Sequence, residues 1–260
     1  MEERPRFRGA MTAIVTPFLD DGALDCGALE RIVGWQVEQG IQGVVPCGTT
    51  GEGATLEPDE QTRVIETVVR AVDGRVPVVA GCGSNDTRRT VLAARGAAEA
   101  GADALLVVTP YYNKPNRSGM IAHYETVASA TNLPVVVYNV PGRTGQNLGV
   151  ELILRLAKVP GIVAVKEASG DLEQIGAILE RRPPEFAVLS GDDALNPTTT
   201  PNTMIVLVSA GATRTVGRAE KPEPSRDTGS PTPIAVPYPA ATEHSICLIS
   251  PNKDLYGTKP

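Results

Sequence analysis

A (β/α)8 barrel of the TIM type is the fold that this sequence predicts, on three observations. Short β-branched runs recur at even spacing: Ala13 to Thr16, Gly43 to Pro46, Val76 to Ala80, Ala104 to Thr109, Val135 to Tyr138, Ile162 to Val165 and Ala187 to Leu189. Segments with helical period and helical punctuation lie between them. The runs themselves are almost continuously apolar, as strands covered on both faces of a parallel sheet are. Seven consecutive strand–helix units favour a closed barrel over an open sheet.

Each connecting helix has a local cause. Leu29, Ile32, Val33 and Val37 repeat at helical spacing and stop at Gly40, a residue that ends helices readily. Pro58 opens the next, because a proline at the first helical position gives up an N–H that has no partner there anyway. Its apolar face carries Val64, Ile65, Val68 and Val69.

The rhythm stops after Leu195. Residues 196–203, rich in Thr and Pro, show no helical period, and Met204 to Val208 is a candidate eighth strand. Prolines at 222, 224, 231, 233, 237 and 239 then forbid regular helix. The expected organisation is therefore a barrel over residues 1–195, strands one to seven, followed by a divergent, poorly ordered tail over 196–260. That tail stands where the last barrel unit belongs. Its abrupt change of composition reads better as a replaced C-terminus than as a natural extension.

Composition narrows the function. A formal net charge of −6, with no cluster of Lys and Arg, argues against binding to nucleic acid phosphates. Cys26, Cys47, Cys82 and Cys247 are widely spaced and form no metal-ligand motif. With His123 and His244 as the only histidines, triads and zinc sites built on histidine are nearly excluded. The charged N-terminus lacks the apolar run of a signal peptide, and no apolar stretch is long enough to span a bilayer. A cytoplasmic protein acting on small molecules without metal or cofactor is expected, its acid–base chemistry drawn from Lys, Tyr, Thr or carboxylates.

Barrel enzymes carry their reactive groups at the C-terminal ends of strands. Strand two ends in Cys47-Gly48-Thr49-Thr50-Gly51-Glu52, two hydroxyls on a glycine-flanked turn. A phosphate cradle is the competing reading, weakened by the missing Gly-Lys-Ser/Thr ending and by Glu52, which repels anions. Strand four ends in Thr109-Pro110-Tyr111-Tyr112-Asn113, and strand five in Tyr138-Asn139-Val140-Pro141-Gly142-Arg143-Thr144-Gly145. A lone strand-end tyrosine is usually a packed ring, but three on one rim offer phenols that relay protons, and Arg143 offers a fork for a carboxylate.

Strand six ends in Val165-Lys166-Glu167-Ala168-Ser169-Gly170. Alternation puts Ile162, Ala164 and Lys166 on one face, and in a barrel interior desolvation lowers an ammonium pKa and frees the amine to attack a carbonyl. The plain alternative is a lysine that snorkels to solvent or pairs with Glu167. With hydroxyls at strands two, four and five, imine chemistry on a keto acid is the simplest account of the set.

Together with Ser190-Gly191-Asp192-Asp193, these motifs resemble, in order and spacing, those of the dihydrodipicolinate synthase family of pyruvate-dependent Schiff-base lyases, over roughly residues 9–195. The resemblance implies that pyruvate forms an imine with Lys166. Its enamine then attacks L-aspartate 4-semialdehyde to give 4-hydroxy-tetrahydrodipicolinate, in lysine and diaminopimelate biosynthesis. It implies Tyr138 as proton donor, Thr49 and Tyr112 as relay partners, Thr50 as a contact to the pyruvate carboxylate, Arg143 as anchor of the semialdehyde carboxylate, and Gly191 in substrate binding. The tyrosine matching Tyr112 reaches into a neighbouring subunit's site in this family, so a homodimer or homotetramer is implied as well. The family's feedback site for lysine is matched at Asn85 and Tyr111, whereas Pro58, Gln61 and Arg89 replace its usual histidines and glutamate. Weak or absent inhibition by lysine is therefore expected. Two alternatives stay open: another pyruvate aldolase acting on N-acetylneuraminate or a 2-keto-3-deoxy sugar acid, and a barrel that has lost catalysis with its C-terminus.

Overall fold

The computed structural model describes Phe7, residues 9–191 and the strand 204–209. In chain order the elements are β1 (Ala10–Ala13), α1 (Cys26–Glu38), β2 (Val44–Val45), α2 (Pro58–Val72), β3 (Val79–Gly81), α3 (Thr87–Glu99), β4 (Ala104–Val108) and α4 (Arg117–Ala128). They continue as β5 (Val135–Asn139), α5 (Pro141–Thr144), α6 (Gly149–Leu156), β6 (Ile162–Glu167), α7 (Leu172–Arg181), β7 (Ala187–Ser190) and β8 (Met204–Ser209). All strand pairs are parallel, in the order β2-β1-β8-β7-β6-β5-β4-β3. A parallel bridge between Val44 and Val78 joins the two ends of that order and closes the barrel.

Two apolar layers follow from side-chain alternation. On β4, Leu105 and Val107 face outward to the helices, whereas Ala104 and Leu106 face inward; on β5, Val135 and Val137 face outward and Val136 and Tyr138 inward. The outward layer receives Leu29 and Val33 of α1, Val64, Ile65, Val68 and Val72 of α2, and Ile178 of α7. At about 1.5–3 kcal/mol for each buried branched side chain, this layer rather than helix propensity holds the helices in place. Helix α2 begins as its proline suggests: the Glu57 N–H donates to Glu60 Oε2 at 2.8 Å, a capping box around Pro58.

The fold class is as expected, but two details differ. Strand β1 lies at Ala10–Ala13 rather than Ala13–Thr16. Pairing decides this: Thr12 is in register with Val44 and Met11 with Leu207, while Thr16 has turned out of the ladder to donate its hydroxyl to the Gly51 carbonyl at 2.7 Å. The second difference is on β6, where the register against β5 slips between Val135–Ile162 and Val136–Ala164, leaving Val163 as an extra residue. This bulge breaks the expected alternation. Ile162 joins the outward layer, while Val163 packs against the inner cluster beside Ala164, which shares the inner face with Lys166.

Strand β8 falls on the candidate eighth strand, Met204 to Val208, and pairs with β7 through Val188–Met204 and with β1 through Ala10–Val206. The readings of residues 196–203 and 210–260 fall outside the described residues. Among the described residues no helix is long and apolar enough to cross a membrane, and no group of three His, Cys, Asp or Glu side chains is placed to hold a metal ion.

Candidate active site

Strand β6 delivers Lys166 to the inner face near the strand end, where the residue is only 7% exposed. Its register partner on β5 is Tyr138, and the lysine Nζ lies 4.4 Å from the centroid of that ring. Burial pushes the Tyr138 phenol above its ordinary pKa; the Arg143 cation and a hydrogen bond with the Thr49 side chain pull it back down. The phenol thus sits between an amine on one side and a hydroxyl and a guanidinium on the other.

Gly191, just past β7, completes this corner. A Cβ built there would lie 3.0 Å from Lys166 Cε and 2.7 Å from Ala168 Cβ. The hydrogen atom in that place leaves room beside the lysine for a group attached to its amine. The Gly191 N–H donates to the Glu167 carbonyl at 2.8 Å, which fixes β7 against β6 at this level.

The turn after β2 presents Thr49 and Thr50. It folds back on itself through N–H bonds from Gly51 and Gly53 to the Gly48 carbonyl, both 3.1 Å. Cys47 and Glu52 adopt left-handed backbone at φ 55 and 56, conformations that non-glycine residues hold only when their surroundings enforce them. The enforcement is steric closeness: a Cβ on Gly53 or Gly81 would come within 2.1 or 2.2 Å of the Cys47 carbonyl oxygen.

Arg143 rides on the single-turn helix α5. Pro141 starts that turn, and Gly145, at φ 68, ends it by donating to the Pro141 carbonyl at 2.8 Å. The side chain is exposed at the rim of a cavity of about 380 Å³, whose lining includes Thr49, Tyr111, Tyr138 and Arg143. Lys166 is not in this lining; it lies behind the Tyr138 ring. Cys47 and Cys82 also line the cavity, and burial pushes both thiols up to about 12, so they are protonated and weakly nucleophilic at neutral pH.

Thr49, Tyr138, Arg143, Lys166 and Gly191 are brought together in one chain. Thr50 stands half-buried on the same turn as Thr49. Tyr112 stands apart: it is 89% exposed, at φ 67, and Tyr111 rather than Tyr112 faces the cavity. Of the positions tied to lysine feedback, Gln61 lines the cavity with Tyr111, and Arg89 is exposed on α3. Reading the sequence missed Thr16, which anchors the threonine turn, and the pair Asn139–Glu167, buried on the outer face directly beside Tyr138 and Lys166. A polar residue at the last outward position of each strand was the available signal.

Residues 6–216 match the model of the Dihydrodipicolinate synthetase family. The chain belongs to that family. The match begins before and runs past the span over which the motifs alone show the resemblance, and it takes in strand β8. A 4-hydroxy-tetrahydrodipicolinate synthase of Methanoculleus marisnigri is 48% identical over 226 residues, 86% of this chain and 75% of that protein. Among solved structures, the dihydrodipicolinate synthase of Bacillus anthracis superposes with a TM-score of 0.76 at 40% identity, covering 78% of this chain and 70% of that one. The Acinetobacter baumannii dihydrodipicolinate synthase, solved with pyruvate, gives a TM-score of 0.71 at 45% identity over 72% of this chain and 65% of that one. The chain thus spans about two thirds to three quarters of the length of these dihydrodipicolinate synthases.

Proposed function

We propose that the chain condenses pyruvate with L-aspartate 4-semialdehyde through an imine on Lys166, yielding 4-hydroxy-tetrahydrodipicolinate in lysine and diaminopimelate biosynthesis. One observation carries this reading: a buried lysine amine over the Tyr138 ring, with Gly191 leaving space beside it. A desolvated amine is a competent nucleophile toward a keto group, and loss of water gives the imine. Loss of a methyl proton gives the enamine, whose carbon attacks the aldehyde of the second substrate. The aldehyde oxygen takes up a proton, which Tyr138 supplies and the Thr49 hydroxyl helps replace. The semialdehyde amine then attacks the imine carbon, closing the ring and returning Lys166 as the free amine.

The other roles follow from place and charge. Thr50 contacts the pyruvate carboxylate, and Arg143, exposed at the rim, holds the carboxylate of the semialdehyde in a bidentate pair. Gly191 belongs to the pyruvate subsite. Tyr112, whose ring projects away from its own cavity, completes the relay in a second copy of the chain, so the working form is a homodimer or homotetramer in the cytoplasm. Lysine inhibits weakly or not at all, because the Arg89 cation repels its ammonium groups.

Borohydride reduction in the presence of pyruvate, followed by peptide mass measurement, tests the reading. A pyruvyl adduct on Lys166, with product formed when the semialdehyde is added, is the expected result. Folded protein that acquires no adduct rules it out.

A further inference from the structure

The outward position next to Lys166 ought to be apolar, since the outer face of β6 lies under the helices. Instead it holds Glu167, a carboxyl group only 1% exposed. Burial of such a group is unfavourable unless every oxygen is satisfied, and here it is. Oε1 accepts from Asn139 Nδ2 at 3.0 Å and from the Ser169 N–H at 2.9 Å; Oε2 accepts from Asn139 Nδ2 at 3.0 Å and from Gln174 Nε2 at 3.3 Å.

The donors come from three different segments. Asn139 ends β5 immediately after Tyr138 and is itself completely buried. Its amide also donates to Asn147 Oδ1 at 2.8 Å, and its own oxygen accepts the Leu148 N–H at 3.2 Å. Asn147 and Leu148 close the loop that carries Arg143. Gln174, in the first turn of α7, exchanges hydrogen bonds with Asn147 at 2.9 and 3.1 Å. Backbone bonds extend the pattern, with the Ala168 N–H on the Asn139 carbonyl and the Gly191 N–H on the Glu167 carbonyl, both 2.8 Å.

The register gives this arrangement its meaning. Tyr138 pairs with Lys166, and the next pair along is Asn139 with Glu167. The inner pair makes the proposed chemistry, and the outer pair clamps the same two strand ends from behind. A bulge two pairs earlier, at Val135/Val136, shows that this ladder does not hold its register by regular pairing alone. We infer that Glu167 is a positioning residue: through Asn139 it sets Lys166 against Tyr138, and through Asn147 it sets the Arg143 loop. The inference rests on the imine reading of Lys166.

Three variants test it. Glu167→Gln puts an amide against the Asn139 amide, while the double variant Glu167→Gln with Asn139→Asp restores one donor facing one acceptor. Gln174→Leu removes the outer donor to Glu167 together with both bonds to Asn147, and serves should Glu167→Gln not fold. Circular dichroism first establishes the folded fraction, and the rate of borohydride trapping at saturating pyruvate is then measured. A misplacement of the order of 1 Å lowers such a rate by roughly 100-fold. The single Glu167→Gln variant is expected to lose trapping rate on that scale with little change in KM for pyruvate. The double variant is expected to regain most of it, and Gln174→Leu to lose several-fold. Trapping at the wild-type rate in folded Glu167→Gln or Gln174→Leu overturns the inference, as does a double variant no faster than the single one. If the wild-type protein itself forms no adduct, the imine reading has failed, which separates the two outcomes.

Discussion

Tyr138 and Lys166 face each other across adjacent strands, the lysine Nζ 4.4 Å from the ring centroid, with the phenol directed away toward Thr49 and the Arg143 cation. The ring and the hydroxyl therefore do different things. In Tyr138→Phe the ring stays over the amine, whereas the proton donor is gone. Turnover should fall about 10²- to 10⁴-fold, and the melting temperature should change little, since the exposed Thr49 hydroxyl can turn to water. Steady-state kinetics beside a thermal melt checks both halves.

Gly191→Ala tests the space beside the lysine. The added methyl group lands 3.0 Å from Lys166 Cε and 2.7 Å from Ala168 Cβ, and both neighbours belong to a packed strand end. Overpacking of this kind costs about 1–3 kcal/mol. Denaturant titration should show that loss, and adduct formation with pyruvate should become slower. Wild-type trapping kinetics in this variant would show that the space is not used.

Arg143→Gln should weaken the second substrate selectively. Losing a charge-assisted pair with a carboxylate costs about 1.5–3 kcal/mol, so kcat/KM for the semialdehyde should drop roughly 10- to 150-fold while KM for pyruvate holds. The same cation lowers the Tyr138 pKa, so its removal lets burial raise that value further. The alkaline limb of the pH–rate profile should accordingly move to higher pH. A downward move would show that another group controls the limb.

His123 affects stability rather than chemistry. It is 4% exposed between α3 and α4, with Nδ1 at 2.9 Å from the Thr87 hydroxyl, and burial lowers its pKa to about 4 from the ordinary 6.5. The unfolded chain binds this proton first as pH falls, so the folded state loses stability from about pH 6.5 down to about pH 4. The full effect is about 3 kcal/mol. Urea titrations at pH 7 and pH 4.5 should show a smaller difference in His123→Leu than in the wild-type protein.

The barrel was legible because parallel strands covered on both faces write themselves as β-branched runs, and Gly40 and Pro58 punctuate what lies between. Register is not written that way. Nothing in Ala13-Ile14-Val15-Thr16 tells that the ladder takes the four residues ending at Ala13, since partners from β2 and β8 decide it. Nor does Ile162-Val163-Ala164 announce a bulge. Lys166 stands out as a candidate because a lysine closing an apolar strand is conspicuous, and Tyr138 and Arg143 because they share its rim. Asn139 and Glu167 carried only an ambiguous signal, because a polar residue at an outward strand end looks the same whether water or another side chain satisfies it. That Tyr111 rather than Tyr112 enters the cavity goes with a turn in which Tyr112 and Lys114 take left-handed backbone, at φ 67 and 42, which composition does not encode.

Strand β8 lies between β7 and β1, so Ala10 meets its partner Val206 across about 200 residues of chain. On a ribosome, the first strand emerges long before the one that will cover its edge. Until then the facing edges of β1 and β7 are both open to any other strand, which makes this gap the place at which another chain could intrude. Folding of this barrel should therefore finish late, with refolding yield falling as protein concentration rises.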